Sequence, residues 1–179
     1  YFVAYDEVAP IFIQAQGHDI LSDVKWFGSD GSALNNKVVR NTDAAIFATK
    51  TGFANPIFGV ENESNAKFKR VEALIEKDIE RIPRSYASTA YDALWVAALA
   101  ENQTKQANNI SIEQLKDAFT GIANSYTGIT GNTSLDQNGD RKYGDYEYWV
   151  VTEDKNNSGS YIWKPEGRFV FEKTPNGHR

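Results

Sequence analysis

The chain has no cysteine and no methionine in its 179 residues. Without cysteine there are no disulfides, no thiolate metal centre and no cysteine nucleophile. Histidine is nearly absent too. His18 and His178 are the two present, neither has an evident metal or nucleophile partner beside it, and no Gly-X-Ser-X-Gly turn occurs. No apolar run approaches the length of a membrane-spanning helix. Basic residues do not cluster. With 19 Lys and Arg against 24 Asp and Glu, the net charge is −5, and the isoelectric point lies near 5.1. A chain of this balance has no electrostatic footprint for gripping a phosphate backbone, which disfavours nucleic-acid binding.

What is present suits a packed fold. Hydrophobic residues make up 41 % of the chain and aromatics 13 %, enough for a core and too much for a disordered segment. Neither a repeat nor a low-complexity tract occurs. Asn-X-Ser/Thr sequons stand at Asn62, Asn102, Asn109, Asn132 and Asn156. They exceed chance placement and lean towards a surface or extracellular setting.

Residues 1–5 read as a strand with no preceding turn, cap or targeting segment, so the sequence reads as part of something longer. Residues 7–16 have helical spacing, with Gly17 as a stop. Residues 24–27 read as a second strand, and a strand–helix–strand order favours a parallel sheet. Residues 44–49 read as a third strand, and residues 51–56 as a linker or crossing. Residues 65–81 form an amphipathic helix stopped by Pro83. Residues 86–101 form an apolar helix with Tyr91, Leu94, Trp95, Ala98 and Leu99 expected inward. Ser111 to Gln114 is a capping box that opens a helix running to about Phe119. Strand character returns at residues 146–152, 161–163 and 169–171, with a hairpin turn at Asn156-Asn157-Ser158-Gly159.

The most informative stretch is Lys25-Trp26-Phe27-Gly28-Ser29-Asp30-Gly31-Ser32. A strand runs into a small-polar turn holding one carboxylate, with glycines on both sides that admit a close approach. In open α/β sheets ligands sit beyond the carboxyl ends of strands, where Asp30 would meet a cationic group. Its alternative role is to cap the next helix or to stabilise the turn. A second acidic stretch, Asp136-Gln137-Asn138-Gly139-Asp140 with Glu147 at the twelfth position, has the outline of a calcium loop. Arg141 occupies the position that demands glycine, and a β-like segment follows instead of a helix, so it reads as a turn.

Three landmarks carry a family resemblance: Phe27-Gly28-Ser29-Asp30-Gly31, Ser85-Tyr86-Ala87-Ser88-Thr89-Ala90-Tyr91-Asp92-Ala93-Leu94, and Gly128-Ile129-Thr130-Gly131-Asn132-Thr133-Ser134-Leu135-Asp136-Gln137-Asn138-Gly139-Asp140-Arg141. With them the chain resembles the C-terminal half of the type I periplasmic binding proteins, in particular the branched-chain amino acid and amide substrate-binding proteins of ABC importers. The resemblance implies an α/β, two-lobed fold in which each lobe has a parallel sheet flanked by helices. On that pattern residues 1–55 belong to the C-terminal lobe, residues 56–145 are helices returning to the N-terminal lobe, and residues 146–179 are final strands of the C-terminal lobe. The first half of the N-terminal lobe is missing. The apolar helix at 86–101 is therefore expected to expose a face, or to bury it through self-association or in another chain.

The same resemblance implies a binding protein, not an enzyme, with no cofactor, no metal and no catalytic residue. It would capture a small amino acid or amide between its lobes and deliver it to an ABC permease, in the periplasm or at the cell surface. Asp30 would pair with the ligand's α-ammonium. Tyr86 would contact its side chain unless it is a core aromatic. Tyr5, Ser29 and Ser32 would add lesser contacts. Two rivals are an extracellular sensor domain of a signalling receptor and a hydrolase using carboxylates such as Asp136 and Asp140.

Overall fold

A computed structural model describes residues 1–59, 66–81, 83, 85–105 and 110–170. In chain order the elements are α1 (Val8–Ala15), α2 (Asp19–Ser22), a 3-10 turn (Asp30–Ser32), α3 (Asn36–Arg40), α4 (Thr42–Thr51), β1 (Ala54–Gly59), α5 (Ala66–Ile79), α6 (Ser85–Thr104), α7 (Ile112–Ser125), β2 (Thr127–Gly128), β3 (Gly131–Asn132), β4 (Asp145–Glu153) and β5 (Tyr161–Phe169). The fold is mixed α/β. It divides into two compact units, one of Tyr1–Phe58 with Tyr146–Phe169, the other of the described residues in Gly59–Asp145.

The first unit packs helices around an aromatic centre. Phe12 of α1 meets Phe47 of α4 at 4.9 Å between ring centroids and Phe53 at 4.7 Å, edge to face. Trp26 closes the cluster 5.7 Å from Phe12 and 5.4 Å from Phe47, and its indole N–H donates to the Leu21 carbonyl at 2.9 Å. Such tilted and edge contacts add to the burial of large apolar area. The sheet has the order β1-β4-β5. β4 and β5 form an antiparallel hairpin, Glu153 opposite Tyr161, and the Asn156–Gly159 turn joins them as its composition predicts. A parallel bridge joins Phe27 to Ala54. Val151 of β4 enters the core, and Trp163 Nε1 donates to the Asn35 carbonyl at 3.0 Å.

Several sequence expectations fail in this unit. Residues 44–49 are helix, not strand. Asn41 caps α4, its Oδ1 accepting from Ala44 N at 3.0 Å, and Gly52 ends it in the left-handed conformation at φ 61°. The buried positions Ala44, Ala45, Phe47, Ala48 and Thr51 recur at helical spacing. Residues 51–56 are not a linker, because Ala54 onward is β1. Pro56 is tolerated there because β1 is an edge strand, where one missing N–H breaks no inner ladder. Residues 1–5 form no strand, although Phe2 N donates to the Phe27 carbonyl at 2.7 Å, and residues 24–27 contribute the Phe27 bridge alone. The separate strands expected at 161–163 and 169–171 are one strand, β5, as far as Phe169. Its Pro165 and Gly167 look like a break in sequence, but an irregularity of register at Tyr148/Trp149 absorbs them.

The second unit is helical. Its core joins Phe68 and Val71 of α5 to Ile129, with Ile75 and Tyr91 partly buried beside them. α6 packs on α7. The capping box is formed: Ser111 Oγ accepts from Gln114 N at 3.2 Å, and Gln114 Oε1 accepts from Ser111 N at 3.0 Å. The helix it opens runs to Ser125, past Phe119. The buried stripe of α6 is Ser88, Asp92, Val96 and Ala100. It is not the expected apolar face, since Leu94 is 69 % and Trp95 45 % exposed. A helix that is apolar nearly all round carries no strong preference for one side, so its polar partners decide. No helix among the described residues is long and apolar enough to cross a membrane. Residue 171, Asn62, Asn109 and His178 lie outside the described residues.

Candidate functional site

In the first unit the Phe27-Gly28 segment leads into a turn whose geometry follows from three small residues. Gly28 N donates to the Ala54 carbonyl at 2.8 Å, which lays the segment against the start of β1. A Cβ on Gly28 would strike Asn55 Oδ1, the Phe53 ring and Ser32 Oγ. Only glycine fits at this crossing. Asp30 to Ser32 then make one 3-10 turn, with Ser32 N donating to the Ser29 carbonyl and Ala33 N to the Asp30 carbonyl, both at 3.2 Å. Gly31 is needed for a second reason. A Cβ there would lie 2.8 Å from the Tyr5 ring and 2.9 Å from the Ala4 carbonyl.

The turn therefore gathers four of the five sequence-derived candidates. Asp30 stands exposed at its start. Tyr5, 70 % exposed, lays its ring against the neighbouring Gly31. Ser29 is half-buried, and its hydroxyl oxygen is buried with no hydrogen-bond partner among the described residues. A buried hydroxyl in that condition costs about 1–3 kcal/mol. Ser32 is wholly buried. Its hydroxyl donates to Asn55 Oδ1 at 2.6 Å and accepts from Ser29 N at 3.3 Å.

Asn55 is the residue that sequence reasoning missed. It is wholly buried in β1 and its Nδ2 donates to the Phe53 carbonyl at 3.4 Å. It fell in the stretch read as a linker, where an Asn before Pro signals a turn. The available signal was an amide flanked on alternate positions by Phe53 and Ile57, the inward register of a strand.

Beside the turn, Asn35 Nδ2 donates to the Tyr5 carbonyl at 3.3 Å and to Asp6 Oδ1 at 3.1 Å. Lys37 Nζ reaches Asp6 Oδ2 at 2.7 Å. The hydrogen bond from Lys37, then that from Asn35, then the Lys37 charge hold the Asp6 carboxyl below the usual aspartate range. The strip thus presents a carboxylate and an aromatic ring side by side. That set suits a small ligand with a cationic group.

Tyr86 belongs to the second unit. It is the second residue of α6 and 46 % exposed, so it is not a core aromatic. In the same unit the second and third sequence landmarks are bonded together. Asp92, buried in α6, accepts from Ile129 N at 2.9 Å and from Thr130 N at 2.8 Å, and the Thr130 hydroxyl donates to it at 2.5 Å. Arg141 clamps the other side of the turn: Nη1 donates to Thr130 Oγ1 and Nη2 to the Thr130 carbonyl, both at 2.8 Å, and Nε to the Asn132 carbonyl at 3.0 Å. Gly128 is required because a Cβ would collide with the Asp92 carboxylate. The Asp136 loop behaves as a turn. Asp136 Oδ1 accepts from the amides of Asn138 at 2.8 Å and Asp140 at 3.0 Å, and Gly139 has φ 87°. Among the described residues no group of three or more His, Asp or Glu side chains is disposed to hold a metal ion.

Residues 1–154 match the model of the receptor family ligand binding region. Among curated proteins the chain is 29 % identical over 162 residues to the uncharacterized protein MJ1266 of Methanocaldococcus jannaschii, covering 86 % of this chain and 38 % of that protein. Among solved structures it is similar to a protein named as a candidate branched-chain amino acid ABC transporter from Rhodospirillum rubrum. That match has 21 % identity and a TM-score of 0.47, over 88 % of this chain and 41 % of the other. The chain spans about two fifths of the length of each.

Proposed function

This chain belongs to the receptor family ligand binding region, a family of type I periplasmic-binding-like proteins, and from that premise we propose that it is part of an extracytoplasmic solute-binding protein for an ABC importer. The ligand is a small amino acid or amide-type molecule. It is held without making or breaking a bond. Asp30 takes the ligand's ammonium group and Tyr5 supplies an aromatic wall.

The observation that carries this reading is the turn itself. An exposed carboxylate sits at a glycine-flanked turn beside an exposed ring that packs on Gly31. A structural turn has no need of an exposed aromatic next to its acid. A ligand with a cationic head and an apolar neighbour would engage both.

The test is calorimetric and thermal-shift binding of the full-length protein against amino acids, amides and urea, with Asp30→Asn alongside. A hydrogen bond to a charged group contributes about 1.5–3 kcal/mol net. Loss of the full charge is therefore expected to weaken a zwitterionic ligand by about tenfold or more. Absence of binding across the panel refutes the reading. Equal binding by the variant returns Asp30 to a role in the turn.

A further inference from the structure

We propose that Asn55 is a positioning residue for Asp30, an assignment that rests on the solute-binding reading above. Asn55 and Ser32 are both fully buried, so neither is placed to touch a ligand at the surface of the turn. Their bond at 2.6 Å is a direct side-chain link between β1 and the turn that carries Asp30. The Ser32 hydroxyl has one proton. It lies nearer Asn55 Oδ1 than the Ser29 carbonyl, which is 3.1 Å away. Ser32 Oγ then accepts from Ser29 N at 3.3 Å. One side chain of β1 thereby fixes both ends of the segment in which Asp30 stands.

The arrangement is also tightly enclosed. Asn55 Oδ1, Ser32 Oγ and the Phe53 ring fill the space that a side chain on Gly28 would take. The turn cannot shift towards β1, and the hydrogen bond opposes a shift away from it. A carboxylate that pairs with an ammonium group needs this fixity, because charge-assisted bonds are directional and short. The acceptor must already be in place before the ligand arrives if ordering is not to be subtracted from affinity. Asn55 therefore acts on the preference for an ammonium-bearing ligand and not only on the stability of the strand.

The experiment uses the full-length protein and calorimetry with each of the twenty L-amino acids. The tightest is then compared with its des-amino carboxylic acid, which has the same side chain and no ammonium group. Wild type is expected to prefer the amino acid, and Asp30→Asn to lose that preference. Asn55→Leu has similar bulk and no acceptor. At a temperature where it is fully folded, it should lower the preference by roughly tenfold, the effect of about one lost hydrogen bond. Ser32→Ala should do the same, and the double variant should be no worse than either single one. A purely structural role would lower the melting temperature and leave the ratio between the two ligands unchanged. If Asn55→Leu does not fold, Ser32→Ala carries the test. Wild-type binding with a preference that survives in the folded variant overturns the positioning assignment alone. A wild type that binds none of the twenty overturns this assignment, and one that binds no amide or urea either refutes the functional reading with it.

Discussion

The carboxylate of Asp92 is predicted to hold the second unit together. It is 1 % exposed and takes two backbone amides and one hydroxyl from the turn between β2 and β3. Asp92→Ala removes all three acceptor positions and leaves the donors in a dry site. Bonds to a charged group are each worth about 1.5–3 kcal/mol net, so the two amides alone amount to about 3–6 kcal/mol. The wholly buried Thr130 hydroxyl also loses its acceptor, which adds to this cost. A loss of this size rivals the whole stability of an ordinary domain. Asp92→Asn is expected to be milder than Asp92→Ala but still destabilising, since one carboxylate oxygen becomes an NH2 that faces a donor. The assay is amide hydrogen exchange followed by mass spectrometry on peptides covering residues 126–133, with urea titration read by Trp95, the tryptophan of that unit. Both variants should lose protection at Ile129 and Thr130, and Asp92→Ala should shift the urea midpoint markedly. Protected amides and a stability change under about 0.5 kcal/mol, the size of an ordinary surface substitution, would refute the reasoning.

Further outcomes follow from other sites. Gly28→Ala should cost about 1–3 kcal/mol or more by overpacking Asn55, Phe53 and Ser32. Gly17→Ala meets only the Gln14 carbonyl at 3.6 Å and should be near neutral in the same thermal melt. The Asp6–Lys37 pair should matter at neutral pH and fade in acid. Because the folded Asp6 titrates below the ordinary aspartate value of about 3.9, its contribution is complete above that value and disappears as the pH falls through the lower folded one. The difference between wild type and Asp6→Asn in a pH series of melts should close accordingly, and a constant difference would contradict it. The isolated 179-residue chain should self-associate in sedimentation runs through Leu94 and Trp95 of α6. Leu94→Glu should reduce that without lowering the melting temperature, and unchanged association would place the contact elsewhere.

The family, and with it the α/β class, was legible in three short segments. So were the elements whose signals are local. Ser111 and Gln114 announce the start of α7 within four residues. Phe68, Val71, Leu74 and Ile75 give α5 its period, although Leu74 proves 57 % exposed. Asn156 to Gly159 give the hairpin turn. Where two local signals competed, the reading went wrong. The run Ala44 to Thr49 has the apolar density of a buried strand, and its caps at Asn41 and Gly52, which decide for helix, lie outside the run. Thr51 to Pro56 carries turn residues, yet it holds the start of a strand.

The sequence by itself determined the absence of disulfide and thiolate chemistry, the acidic balance, the helix-rich middle and the glycine-flanked turn at Asp30. Caps, periods and turn residues act over a few positions, and any chain with those residues feels them. Tertiary structure alone decided which face of α6 is buried, that Asn55 holds Ser32, and that Asp92 binds the turn at Ile129 and Thr130. Those partners lie 23 and 37 or more residues apart, and a buried polar group's need for a partner fixes that one exists without fixing which.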